Sequence, residues 1–374
     1  MTLFIGLMSG TSMDGIDSAV VECTGDDIAL LATREHSLPS ETRARIAAIS
    51  HSGDDEIERM GRLDRELGQL FAEASEELLK ASGIAAAEIT AIGSHGQTIR
   101  HRPPSGADSS AHSFTLQIGD PNTIAECTGI TTVADFRRRD IAAGGEGAPL
   151  APAFHAAAFA KAGVVRAIVN IGGIANASVL DGCDLVTGFD TGPGNTLMDH
   201  WIARHRGSRY DEGGNWAAEG QVIEELQQCL LAHPYLAKTG PRSTGKEAFN
   251  LQWLDDCLTT LPAQEPQNIQ ATLAEFTAQS IASGLQSTGM AIQEVYICGG
   301  GAHNTDLMRR LYRTLENTTL DTTAAIGMDP DWVEAAAFAW LAKQSLAGMA
   351  GNAPVVTGAV APRVLGGIFP GSQK

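Results

Sequence analysis

The apolar and polar positions first outline a hairpin. Residues 3–8 read as a strand, 9–15 as a small polar turn and 16–22 as a second strand. Residues 54–81 carry Ile57, Met60, Leu67, Leu70, Phe71, Ala74 and Leu78 at three- and four-residue steps, with Glu and Arg on the other face. That spacing predicts an amphipathic helix, capped by Ser52 or Asp54 and ended by Gly83. Residues 89–93 form a short strand that ends in the loop SHGQT (94–98), and 114–118 and 131–134 are further strands. GGEGAP (144–149) breaks the pattern, and an Ala-rich helix follows up to Ala162. The hairpin signal then returns, with strands 167–171 and 174–180 around Gly172 and Gly173. Strand 295–298 runs into GGGAHN (299–304) and a helix over 305–315. Residues 331–347 make a last strong helix with Glu334 in its first turn.

The order of hairpin, then alternating helices and strands, thus occurs twice. It predicts two similar α/β domains with a cleft between them, 1–145 and 146–374, the tail after 351 packing back on the first. Composition agrees with a folded chain: 374 residues with 43% apolar content exclude disorder as a description of the whole. The net charge of −18 argues against nucleic acid or an anionic membrane as partner, since both need a large cationic footprint. The six cysteines never fall closer than 28 residues apart, so no zinc-type pair is present and reduced thiols in the cytoplasm are expected. No secretion signal and no membrane span is expected either, because Gly6, Ser9 and Gly10 interrupt the first apolar run.

Three Gly-rich turns follow strands: MSGTSMDGID (8–17), NIGGIANAS (170–178) and CGGGAHN (298–304). Such turns bring backbone amides close to a phosphate; singly they are ordinary turn chemistry, and as a matched set they point to a nucleotide. GPRSTGKE (240–247) nearly spells a phosphate-binding P-loop, but Glu247 stands where Ser or Thr should hold magnesium. It reads as a chance near-miss, although Ser243, Thr244 and Lys246 suit a functional loop. In LVTGFDTGPGNTLMDHW (185–201) a strand ends at Asp190, which either caps the next turn or acts as a base. VADFRRRD (133–140) is either a solvated ion-pair patch or a guanidinium fork for a carboxylate or phosphate. His95 and Gln97 are buried polar residues or ligands of sugar hydroxyls, and Glu334 either complements a helix dipole or belongs to the site.

Together MSGTSMDGID, GSHGQTIRH (93–101), VADFRRRDIAAGGEGAPL (133–150), NIGGIANAS, GFDTGPGN (188–195), CGGGAHN and TGAVAPRVLGG (357–367) resemble the anhydro-N-acetylmuramic acid kinases, over residues 3–369. These belong to the superfamily of sugar kinases, acetate kinases and actin-like ATPases. The resemblance implies two actin-like (ribonuclease H-like) domains with the nucleotide and sugar held between them. It implies ATP and magnesium as cofactors, the anhydro sugar as substrate, a homodimer, and a step of peptidoglycan recycling in the bacterial cytoplasm.

By motif, Gly10, Thr11, Ser12, Met13, Asp14, Gly15, Ile16 and Asp17 become the first phosphate loop, with Asp14 and Asp17 near magnesium. Gly172, Gly173 and Asn176 become the second phosphate hairpin, and Gly299, Gly300 and Gly301 lie by the adenosine. Asp190 matches the family's base and Glu334 an active-site acid. His95, Gln97, Thr98, Arg137 and Arg138 fall on sugar-side segments. The alternatives are another sugar- or acetate-type kinase, a glycosidase working without ATP, and a nucleotide-dependent sugar sensor without turnover.

Overall fold

A computed structural model of the chain describes residues 2–10, 13, 15–25, 27–106, 112–238, 242, 244–245 and 247–372. Strand β1 (Thr2–Ser9) buries Phe4, Ile5 and Leu7, turns, and returns antiparallel as β2 (Gly15–Thr24), with Met8 opposite Asp17. The hairpin continues into β3 (Asp27–Ser37), an edge strand with no fully buried position. The amphipathic helix runs over Glu56–Ser82 and lays Leu63, Leu67, Phe71, Ala74 and Leu78 into the core. Its C-terminus is Gly83 as expected; Asp55, and neither Ser52 nor Asp54, holds the N-cap position, with no side-chain hydrogen bond there.

Strand β4 (Ile89–Arg102) departs from the sequence reading, because SHGQT is strand and not loop. Its first half pairs in parallel with β1. From Gln97 onward it pairs antiparallel with β5 (Phe114–Ile118), which satisfies the backbone of a polar stretch that looks loop-like alone. Gly96, at φ +73°, supplies the irregularity between the two pairings. Strand β6 (Thr132–Ala134) lies parallel to β4.

The second hairpin is β7 (Val165–Ile171) and β8 (Ile174–Asp181), followed by β9 (Asp184–Pro193), which runs past Asp190 instead of ending there. Strands β10 (Glu294–Cys298) and β11 (Thr319–Thr322) add in parallel beside β7. Strand β12 (Gly367–Phe369) closes the first sheet against β6.

Two compact units result: residues 1–158 with 332–374, and 159–331. The division differs from the expected 145/146 boundary. Not only the tail after 351 but the whole segment from Trp332 joins the first unit, because helix Val333–Leu346 packs on β1 and β4. The first sheet runs β12-β6-β4-β1-β2-β3 with β5 beside β4; the second runs β11-β10-β7-β8-β9. Each is a meander of three antiparallel strands extended by two parallel ones in the same order, β4 and β6 in the first and β10 and β11 in the second, so the echo in the sequence is an echo in topology. The second unit's core holds Phe249, Phe276, Trp201 and Trp216 among its aliphatic residues.

Candidate functional site

In each unit the candidate residues gather where the parallel strands end, the edge at which open α/β sheets take ligands. In the first unit that edge joins the ends of β1 and β6 with the middle of β4. The Ser9 hydroxyl lies 3.0 Å from the Gly15 carbonyl and 2.8 Å from Gln97 Oε1, donating to one at a time. Gln97 Nε2 donates to the Gly10 carbonyl at 3.3 Å, and Met13, at φ +59°, closes a turn on that same carbonyl. Met13, Gln97 and Thr98 share a cavity of about 300 Å³ with His101 and Arg102, so two of the predicted segments meet. Thr11, Ser12 and Asp14 lie outside the described residues.

His95 is buried, with Nδ1 3.3 Å from the Ser9 carbonyl and Nε2 accepting from Arg137 Nε (3.1 Å) and Nη2 (2.9 Å). Those partners require the neutral tautomer with hydrogen on Nδ1. Burial, and secondarily the Arg137 charge, hold the imidazole down at about 3. Arg137 Nη1 donates to the Gly147 carbonyl at 2.9 Å. Burial lowers this guanidinium to about 10 against the opposing pull of Glu334 and Asp140, so it stays cationic at neutral pH. Burial raises the Glu334 carboxyl, with Arg137 working the other way. Of the three adjacent arginines only Arg137 turns inward; Arg138 is exposed beside Asp135, and Arg139 is exposed.

Besides His95, two more histidines of this unit are held neutral by burial: His101 at about 4, with Arg137 and Arg102 adding, and His155 at about 3. An unfolded chain protonates these rings near 6.5 while the folded one does not, so stability falls as pH drops below 6.5. Each ring contributes up to about 1.4 kcal/mol per pH unit. Glu334 acts in the opposite sense, taking a proton earlier in the folded state as pH falls. Denaturant titrations of Glu334→Gln between pH 7 and 5 are therefore expected to show a steeper acid loss than wild type. A flat profile would contradict the neutral burial of these rings.

In the second unit Asn170, Asn176 and Asp190 stand opposite one another across β7, β8 and β9, a polar row in apolar strands. The turn at Gly172 and Gly173 is stapled to the Gly-Pro-Gly turn: their carbonyls accept from Gly194, Asn195 and Thr196 amides at 2.8–3.1 Å. Gly299, at φ +77°, leaves no room for a Cβ, which would stand 2.3 Å from Asn170 Oδ1. Gly172 and Gly300 differ: a Cβ there meets nothing nearer than 3.7 and 3.8 Å. Packing within the chain does not demand glycine at these two, and open backbone at strand ends fits close approach of a phosphate or a nucleoside.

Asp190 is held through both its main chain and its carboxylate. Its amide donates to the Arg242 carbonyl (2.9 Å), and its carbonyl accepts from the Tyr235 hydroxyl (2.8 Å) and Arg242 Nε (3.1 Å). The carboxylate accepts from the Thr244 amide at 2.8 Å. Burial and Asp190 push the Tyr235 phenol up, which keeps it protonated as a donor. The segment read as a chance near-miss of a P-loop therefore supplies the candidate base's support; Ser243 and Lys246 lie outside the described residues. No local motif announces Tyr235 or Arg242, because their link to Asp190 spans about fifty residues.

Among the described residues no group of three or more His, Cys, Asp or Glu side chains could hold a bare metal ion. Magnesium carried by a nucleotide takes only one or two carboxylates from the protein. Asp17, half-buried at the start of β2 beside the first turn, suits that lesser demand.

The chain carries one ribonuclease H-like sheet plan twice, with glycine turns at the ends of β1, β7 and β10. The comparison with known proteins is narrower: the anhydro-N-acetylmuramic acid kinase family matches residues 2–371, and the chain belongs to it. The enzyme of that name from Shewanella loihica is 51% identical over 371 residues, covering 99% of both chains. Those from Thiobacillus denitrificans (51%, 98% of this chain and 97% of the relative) and Pseudomonas fluorescens (49%, 99% and 100%) match equally along their length. No helix among the described residues is long and apolar enough to cross a membrane.

Proposed function

We propose that this protein uses ATP and water to open 1,6-anhydro-N-acetylmuramic acid and phosphorylate its O6, giving N-acetylmuramic acid 6-phosphate and ADP. The observation that carries the reading is the clamped Asp190 of GFDTGPGN at the carboxyl edge of its sheet, in a chain of this family. Water attacks C1 and passes a proton to Asp190. The C1–O6 bond breaks, O6 takes the γ-phosphoryl group, ADP departs, and Asp190 returns its proton to solvent. Magnesium, near Asp17 and Asp14, would neutralise phosphate charge when bound. The amides around Gly172 and Gly173 hold phosphate, and Gly299, Gly300 and Gly301 face the nucleoside. The setting we assign is the cytoplasm, in cell-wall recycling, with the protein as a homodimer.

Arg137 anchors the sugar's lactyl carboxylate. Its guanidinium has five N–H groups; those engaged with His95 and Gly147 leave donors on both terminal nitrogens. Arg137→Ala is expected to raise the sugar KM at least tenfold, whereas Arg138→Ala and Arg139→Ala change it less than twofold. Unchanged KM in all three variants would refute an arginine contact. The activity itself is checked by incubating protein, ATP, magnesium and the anhydro sugar and weighing the products. ADP with a phosphosugar supports the proposal. Bound nucleotide without phosphosugar would instead identify a sensor, and hydrolysed but unphosphorylated sugar a glycosidase.

A further inference from the structure

Asp140 is fully buried; it feels the Arg137 charge, but among the described residues no cation contacts its carboxylate directly. A buried carboxylate is costly unless hydrogen bonds replace its lost water. Here neutral donors do so: the Gly147 amide to Oδ2 at 2.8 Å, and Asn352 Nδ2 (2.6 Å) and Thr357 Oγ1 (2.8 Å) to Oδ1. Asn352 and Thr357 arrive from more than two hundred residues away. Their segment is also stitched to the 143–146 loop by Glu146 N to Thr357 O (2.8 Å) and Val360 N to Ala143 O (2.9 Å).

Gly147 joins two adjacent peptide groups. Its N–H binds Asp140, and its carbonyl receives Arg137 Nη1 at 2.9 Å. Arg137 in turn binds His95, and His95 binds the Ser9 carbonyl at the mouth of the first turn. Asp140 fixes the position of Gly147, and Gly147 fixes the direction of the Arg137 guanidinium. We infer that Asp140 is a positioning residue for the Arg137–His95 pair, and that segment 352–360 acts on the site through it. The inference rests on the proposed contact of Arg137 with the sugar.

The test compares Asp140→Asn with the reciprocal pair Asp140→Asn/Asn352→Asp. In the single variant one amide must face the Gly147 amide, the Asn352 amide and the Thr357 hydroxyl, so at least one donor loses its acceptor. In the pair, Asn at 140 accepts from Gly147 and donates to a carboxylate at 352, which still accepts from the Arg363 amide as Asn352 does at 2.6 Å. Asp140→Asn is expected to raise the sugar KM at least tenfold with the ATP KM within twofold, and the pair to return it to within threefold. Nitrogen NMR of the His95 ring should show the Nδ1–H tautomer in wild type and in the pair, and a mixture in the single variant.

If Asp140→Asn does not fold, Thr357→Val removes one donor and keeps the shape. Its expected sugar KM is about threefold higher, with a smaller change at His95. Wild-type sugar KM and an unchanged His95 signal in these variants would overturn the inference, as would a rise in both KM values that the pair fails to reverse. Arg137→Ala, run in parallel, separates the two proposals. If that variant keeps its sugar KM while Asp140→Asn still disturbs His95, the sugar contact fails and the positioning role stands.

Discussion

Replacing Asp190 with Asn is expected to leave the protein folded and able to bind ATP while turnover falls by about 10²–10⁴-fold, the usual worth of a general base. The fold survives because the main-chain bonds to Tyr235 and Arg242 do not depend on the side chain. The one carboxylate bond described, from the Thr244 amide, can be accepted equally by the amide oxygen of Asn. What Asn lacks is the ability to take a proton from water. Steady-state phosphosugar formation, with melting temperature and ATP affinity as controls, checks the point. Wild-type turnover in the variant would remove Asp190 from the reaction.

A second large effect is expected far from the chemistry. A Cβ on Gly6 would lie 1.8 Å from the Ala335 carbonyl oxygen, and one on Gly93 would lie 2.0 Å from that of Phe338. Both oxygens belong to helix Val333–Leu346, whose backbone rests directly on β1 and β4. A flexible side chain could move aside, but a helix main chain cannot without leaving its sheet. Gly6→Ala and Gly93→Ala are each expected to cost more than about 3 kcal/mol, the upper end for overpacked cores. Together they should unfold a unit whose whole stability is of order 5–15 kcal/mol. Gly61→Ala is the control: nothing lies within 4 Å of its Cβ in the helix Glu56–Ser82, so it should stabilise by about 0.5–1 kcal/mol. Denaturant midpoints that fail to separate these variants would contradict the packing described.

The repeated plan was legible because hairpin and helix periodicities are local. Strands β1, β2, β7, β8 and β10 and the helices at 56–82 and 333–346 stand close to where the apolar spacing puts them. What the chain hides is long-range pairing. SHGQT looks like a loop until β5 is placed beside it, and Gly6 looks like a break in a strand until a helix 330 residues later covers it. The same distinction holds at the site. Asp190, His95 and Arg137 stand out in the sequence as polar residues just after apolar runs, whereas Asp140, Tyr235 and Arg242 act through partners that no local motif links to them. The domain boundary moved for a related reason: composition marks the break at GGEGAP, but contacts made by the last forty residues decide which unit they join.

The acidic surface also takes on a definite meaning. A net charge of −18 argues against polyanions, yet the proposed ligands are small anions. The proposed function assigns that demand to local groups: backbone amides at the Gly172–Gly173 turn, and a half-buried Arg137 that keeps its charge at neutral pH.

The central claim is that one event couples attack of water on C1 to phosphoryl transfer onto O6. Running the reaction in water labelled with heavy oxygen tests it most directly. The account predicts one label per product molecule, at C1 of the phosphosugar, with none in the phosphoryl group or in ADP. Label in free phosphate, or a phosphosugar carrying none at C1, would contradict it.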